Sequence, residues 1–250
     1  MLWTGPVSSD RNSKRIWRIA AFLIAPAIVA LFLASCGLVR TISLFPPNED
    51  QIDDELSGES TFVHNTDNSI YGDAFQGYEL YYKVYGLSES QEDLVTTEEN
   101  AVLDPDFEAR PRLENRGFQR LRWDPGSGQR QRPIVDLADQ RDVAVEVVLN
   151  FAELDSNGPF VRWRRADGSV EIRQLRRTVA RGESRDFSSS LGDYTPADHD
   201  DVDSGAGDDG DGGFQVVVYV LAYGIDPEEL VAIYSFETRR VLPQYVLATQ

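Results

Sequence analysis

One cysteine, two histidines and an excess of carboxylates are the residues from which this chain could build chemistry. Cys36 supplies the only thiol, so neither a disulfide framework nor a thiolate zinc site can form within the chain. His64 and His199 lie far apart, and no Ser/His/Asp order can be assembled around them. Both read as surface residues. Asp198, Asp200, Asp201, Asp203, Asp208, Asp209 and Asp211 crowd one Asp- and Gly-rich stretch, and such oxygens suit Ca²⁺. The spacing fails the detailed test: counting from Asp201, position 12 is Gly212, where an EF-hand loop places a bidentate Glu. A solvated acidic loop is the expectation, and no metal site and no cofactor is assigned. Carboxylate pairs of the glycosidase kind are too common here to single one out. No glycine-rich phosphate loop precedes a helix. Arg162, Arg164 and Arg165 oppose Arg173, Arg176 and Arg177 across a hairpin, with Trp163 between them. They would form either a local basic, aromatic patch or a set of ion pairs with nearby acids.

The elements that would position these groups are mostly strands. Tyr78, Leu80, Tyr82 and Val84 alternate with Glu79, Tyr81, Lys83 and Tyr85, the period of a pleated strand packed on both faces. Ser88 or Ser90 caps a short acidic helix running through Leu94, Val95 and Glu98, and Thr96 and Thr97 weaken it. The stretch onward to Asn115 reads as an insertion. Phe118, Arg120 and Arg122 then share one strand face, opposite Gln119, Leu121 and Trp123. Val143, Val145, Val147, Leu149 and Phe151 mark a strand. Phe160 to Leu175 is a hairpin turning at Ala166-Asp167-Gly168-Ser169. Residues 192–213 are a low-complexity acidic stretch, expected to be disordered and to bury nothing. Phe214 to Tyr223 is the most apolar strand, Leu230 to Phe236 the next, and Tyr245 to Leu247 a last edge strand. Strands joined by turns, with almost no helix, predict a mainly β chain built as an antiparallel sandwich.

The amino-terminal segment has its own pattern. Arg11, Lys14, Arg15 and Arg18 precede an apolar run from Ile19 to Leu33, which Ala34, Ser35, Cys36 and Gly37 close. The run is short for a spanning helix, which needs about 20 apolar residues, and Pro26 interrupts it. It suits the apolar core of an export signal. An uncleaved anchor helix that includes Ile16 and Trp17 is the alternative. Leu33-Ala34-Ser35-Cys36 resembles the lipobox of bacterial lipoproteins. The resemblance implies removal of residues 1–35 and acylation of Cys36, which tethers the chain to the cell membrane or outer membrane. Residues 36–60 would then be a flexible tether and residues 61–250 the β domain. Gly77–Gly86, Val216–Tyr223 and Val231–Phe236 resemble the C, F and G strands of a fibronectin type III-like domain.

Charge narrows the function classes. The whole chain carries a formal charge of −18, and residues 36–250 hold 20 of the basic and 41 of the acidic residues, a charge of −21. Nucleic acid is excluded as a partner, because neutralising phosphates takes a basic surface. The expectation is an exported lipoprotein with a non-catalytic, interaction or structural role in the cell envelope, on an envelope protein or glycan partner. An envelope hydrolase with a loop-built site and a solute- or lipid-binding carrier are the alternatives.

Overall fold

The computed structural model describes residues 42–48, 58–103, 108–124, 132–152, 158–179, 183–188, 194, 201–203 and 213–249. Cys36 and the segment around it lie outside them, as do His199 and most of the acidic stretch. Residues 42–250 form one compact unit.

The unit is mainly β, with antiparallel sheets, three short helices and one sheet curled into a half-barrel. Strands β1 (Glu59–Val63), β5 (Glu146–Asn150), β6 (Phe160–Arg164) and β7 (Val170–Gln174) form the first sheet, in the order β1-β5-β6-β7. The second sheet is built on two long strands, β2 (Phe75–Gly86) and β10 (Gly213–Ile225), which pair along almost their whole length. Strands β3 (Gln119–Arg120) and β4 (Val135–Asp136) flank β2. Strands β11 (Ala232–Tyr234) and β12 (Arg239–Thr249) pair with β10. A small ladder joins β8 (Arg177–Val179) to β9 (Glu183–Arg185).

The period-2 alternation of β2 separates two cores. Tyr78, Leu80, Tyr82 and Val84 point into a large core shared with Val147 and Leu149 of β5, Phe151 just beyond it and Trp163 of β6. Tyr81 and Tyr85 point the other way, into a smaller core with Val217, Tyr219 and Leu221 of β10. Two helices cover that face: α1 (Glu89–Val102) through Val95 and Val102, and α2 (Ala109–Asn115) through Ala109 and Leu113. Ser88 caps α1 by accepting from the Gln91 amide. The helix runs past Glu98 because its apolar side is buried, and tertiary packing outweighs the weak propensity of Thr96 and Thr97. Their hydroxyls bond back to the carbonyls of Glu92 and Asp93. The stretch read as an insertion therefore holds α2 as well.

Other segments depart from the reading of the sequence. Ile42–Asn48 packs on the unit where a tether was expected: Leu44 is buried, and Asn48 bridges Val63. The Phe45 amide donates to Asn68 Oδ1 at 2.8 Å, and Asn68 Nδ2 donates back to the Phe45 carbonyl at 2.9 Å. Val143 is exposed and precedes β5, because the chain turns at Gln140–Val143. Only Ala232–Tyr234 of the predicted Leu230–Phe236 strand is extended, since Leu230 takes φ 57° in a turn closed onto Asp226. The last strand is longer than expected and runs through Pro243 with shifts of register.

Two glycines have conformational reasons. Gly77 adopts φ +148°, and a Cβ there would collide with the Val135 carbonyl as β4 crosses β2. Gly168 takes φ +83° in the β6–β7 turn, where its amide donates to the Arg165 carbonyl and Arg165 in turn donates to Ser169.

Candidate functional site

The structure disperses the residues that the sequence grouped by type. Arg173 is buried between two indoles, 4.0 Å from the Trp123 ring and 5.0 Å from that of Trp163. Its Nη1 donates to the carbonyls of Pro133 and Ile134, each at 2.7 Å. Arg176 pairs with Asp124 and Asp186, and Arg165 pairs with Glu171. Arg162 and Arg164 remain exposed. The hairpin arginines thus take the ion-paired alternative for the most part.

The acidic stretch is not wholly solvated. Asp201 and Arg177 are both fully buried, at 0% side-chain exposure. Arg177 Nε donates to Asp201 Oδ2 at 2.7 Å and Nη2 donates to Oδ1 at 3.0 Å, a two-pronged pair. The Tyr82 hydroxyl donates to Asp201 Oδ2 at 2.7 Å and accepts from the Thr178 amide at 2.8 Å. The Arg177 guanidinium lies 4.3 Å from the Tyr194 ring, and Tyr194 is buried too. Burial, then the neighbouring Asp201 charge, pushes the Tyr82 phenol far above its ordinary range. Two residues on, Asp203 pairs with Lys83, which also meets Glu98 of α1 at 2.9 Å. At Tyr194 and Asp201–Asp203 the stretch therefore buries side chains, because buried cations on β2 and β8 draw its carboxylates inward. Of the residues weighed for Ca²⁺, Asp201 and Asp203 already face side-chain cations, and the other five lie outside the described residues.

His64 is buried rather than on the surface. Its Nε2 lies 2.9 Å from the Arg141 carbonyl, which can only accept, so Nε2 carries the proton. Nδ1 accordingly accepts from the Tyr78 hydroxyl at 2.8 Å. Burial holds the imidazole pKa below its ordinary value, against the opposing pull of the Arg141 carbonyl. The ring also stacks on Phe75, with centroids 5.0 Å apart. It is a packed, neutral core histidine.

The arrangement with open chemistry lies on the helix-covered face of the second sheet. Glu79 of β2 is fully buried there, with Arg120 Nη1 at 3.3 Å and Arg132 Nε at 3.5 Å from its two oxygens. Burial raises its pKa, and the two arginines oppose the rise. Arg132 Nη1 also donates to the Tyr234 hydroxyl at 2.9 Å. Beside Glu79 opens a cleft of about 340 Å³, lined among others by Tyr81, Phe118, Arg120, Arg122 and Arg132. Register accounts for the convergence. Tyr81 pairs with Arg120, so both side chains leave the ladder on the same face, and Arg122 follows two residues on. Tyr81 is 1% exposed, and its hydroxyl has no hydrogen-bond partner among the described residues. Nε of Arg122 is likewise buried without one. Burial holds the Tyr81 phenol protonated, with Tyr234 and Glu79 adding to the effect, so it is a donor. The arrangement can bind an anion.

Reading the sequence for motifs misses this cleft. The shared face of Phe118, Arg120 and Arg122 was legible as alternation, but Arg132 comes from an irregular segment and Tyr81 reads as one more strand aromatic. A second depression, about 750 Å³, lies on the first sheet near Val148, Trp163 and Val170, with Arg162, Arg164 and Arg165 at its edge. Among the described residues no three His, Cys, Asp or Glu side chains are grouped to hold a metal ion, and no helix is long and apolar enough to cross a membrane. No protein-family model, curated protein or solved structure matches this chain.

Proposed function

We propose that this chain is an exported lipoprotein, held on a membrane through lipid on Cys36, whose β domain has a non-catalytic interaction role in the cell envelope. The observation that carries the reading is Leu33-Ala34-Ser35-Cys36 at the end of an apolar run with four cations before it. Each buried acyl CH₂ contributes about 0.8 kcal/mol, so two or three chains on one residue would hold the protein on the membrane durably. The adjacency of β2, β10 and β11 supports a fibronectin type III-like sandwich, in which the corresponding strands are neighbours. The interaction role is supported by the cleft that Tyr81 and three arginines line, with two buried donors lacking an acceptor among the described residues, whereas the carboxylates of Glu79 and Asp201 are buried against arginines. The test is the intact mass of the protein extracted from host membranes, beside that of Cys36→Ala. The expected result is the mass of residues 36–250 plus acyl chains, lost in the variant. An uncleaved chain with an unmodified thiol would overturn the lipid anchor.

A further inference from the structure

We propose that the cleft beside Tyr81 is the ligand site of the domain and takes one oxyanion, a carboxylate or phosphate group of a small ligand. Its donors would be the Tyr81 hydroxyl and the guanidinium groups of Arg120, Arg122 and Arg132. The inference deepens the interaction role proposed above and is independent of the lipid anchor.

Three observations point the same way. The first is unmet hydrogen bonding. The Tyr81 hydroxyl and Arg122 Nε are buried and have no acceptor among the described residues. Leaving a buried donor unpaired is costly, so such groups are retained where an acceptor arrives. The second is charge. Arg120, Arg122 and Arg132 line the cleft, and the buried carboxylate that answers them is Glu79. Glu114, also on the cleft wall, is taken by Arg110 at 2.7 Å. The cleft keeps an excess of about two positive charges on a chain whose total is −18. A site of that balance suits one anionic group, and the net negative charge of the chain disfavours a polyanion. The third is size and geometry. About 340 Å³ is at the lower end of ligand-pocket volumes, enough for an acid group and a few carbons. Planar guanidinium forks match both carboxylate and phosphate oxygens, and the Phe118 ring supplies an apolar wall.

The three arginines are not equivalent, which makes the site testable. Arg120 and Arg132 also neutralise Glu79, so replacing either strands a buried charge. Arg122 has no such partner among the described residues, and Tyr81 can lose its hydroxyl while its ring stays packed. The experiment therefore uses Arg122→Gln and Tyr81→Phe, with Arg164→Gln on the exposed side of β6 as control. The full chain, ¹⁵N-labelled at arginine and kept in detergent, is titrated separately with propionate, inorganic phosphate and chloride, following the Nε–Hε resonances.

The expected result is saturable binding of propionate or phosphate, but not of chloride. The tighter of the two names the chemical class. A hydrogen bond to a charged group corresponds to a loss of about tenfold or more in affinity when it is removed. Both cleft variants should show that loss, and Arg164→Gln should not. Absence of saturable binding, or binding that the two variants leave unchanged, overturns the inference. Such a failure with acylated Cys36 still present would strike the cleft and not the anchor.

Discussion

Asp201→Asn should be among the most destabilising single substitutions in the protein. The change is nearly isosteric but removes the negative charge from a pair that is fully buried on both sides. Arg177 would remain in the core without the Asp201 charge, its guanidinium still over the Tyr194 ring and facing an amide oxygen in place of a carboxylate. Breaking a buried pair from one side costs about 3–5 kcal/mol, and little of it is recovered by solvent where exposure is nil. Tyr82→Phe removes the hydroxyl that donates to Asp201 and accepts from the Thr178 amide, a loss of about 1–3 kcal/mol. Removing both charges in Arg177→Met with Asp201→Asn should cost less than the two single changes added together, because neither charge is then stranded. The assay is urea unfolding of a form beginning at Gly37, followed by tryptophan fluorescence. With a slope of about 2 kcal/mol/M, Asp201→Asn should move the midpoint down by roughly 1.5–2.5 M. A shift below about 0.5 M, or single and double variants whose costs simply add, would refute the claim that this pair docks the acidic stretch onto β2 and β8.

Two further outcomes follow from the same physics. His64 is held neutral in the fold, with its pKa below the ordinary 6.5. Above that pH neither state is protonated. As pH falls through 6.5 the unfolded chain takes up a proton that the fold resists, so stability is lost from 6.5 down to the lower folded value. His64→Gln should flatten that part of a stability–pH curve, by at most about 1.4 kcal/mol per pH unit, and an unchanged slope would sink the reading. Gly77→Ala drives a Cβ into the Val135 carbonyl at a positive φ. It should cost about 3 kcal/mol and lower Tm by roughly 6–12 °C in a thermal melt. A variant as stable as the parent would show that β4 can move away.

Local pattern was enough for some of the elements. Alternation alone assigned Tyr78, Leu80, Tyr82 and Val84 to one face of β2 and Tyr81 and Tyr85 to the other, because side chains on a strand have no third direction to take. Asp167-Gly168 marked the turn of the β6–β7 hairpin, and Ser88 or Ser90 marked the start of α1, where Ser88 is the cap, since both signals act within a few residues. The mainly β, antiparallel character followed from the same short-range rules.

The roles of charged and titratable groups were decided by the tertiary structure. Arg177 reaches Asp201 across 24 residues, and Tyr82 reaches it across 119. Nothing in the composition of an Asp- and Gly-rich stretch marks one aspartate as buried. Burial of His64 depends on Tyr78 and on the Arg141 carbonyl, 77 residues away, closing over it. The candidate cleft has the same origin. Its donors come from β2, from the β3 strand with the residue two beyond it, and from the segment before β4. The pairing of Tyr81 with Arg120, not any motif, turns those side chains toward one another. Short-range sterics and solvation are written in neighbouring residues, whereas desolvated charge depends on which distant strands become neighbours.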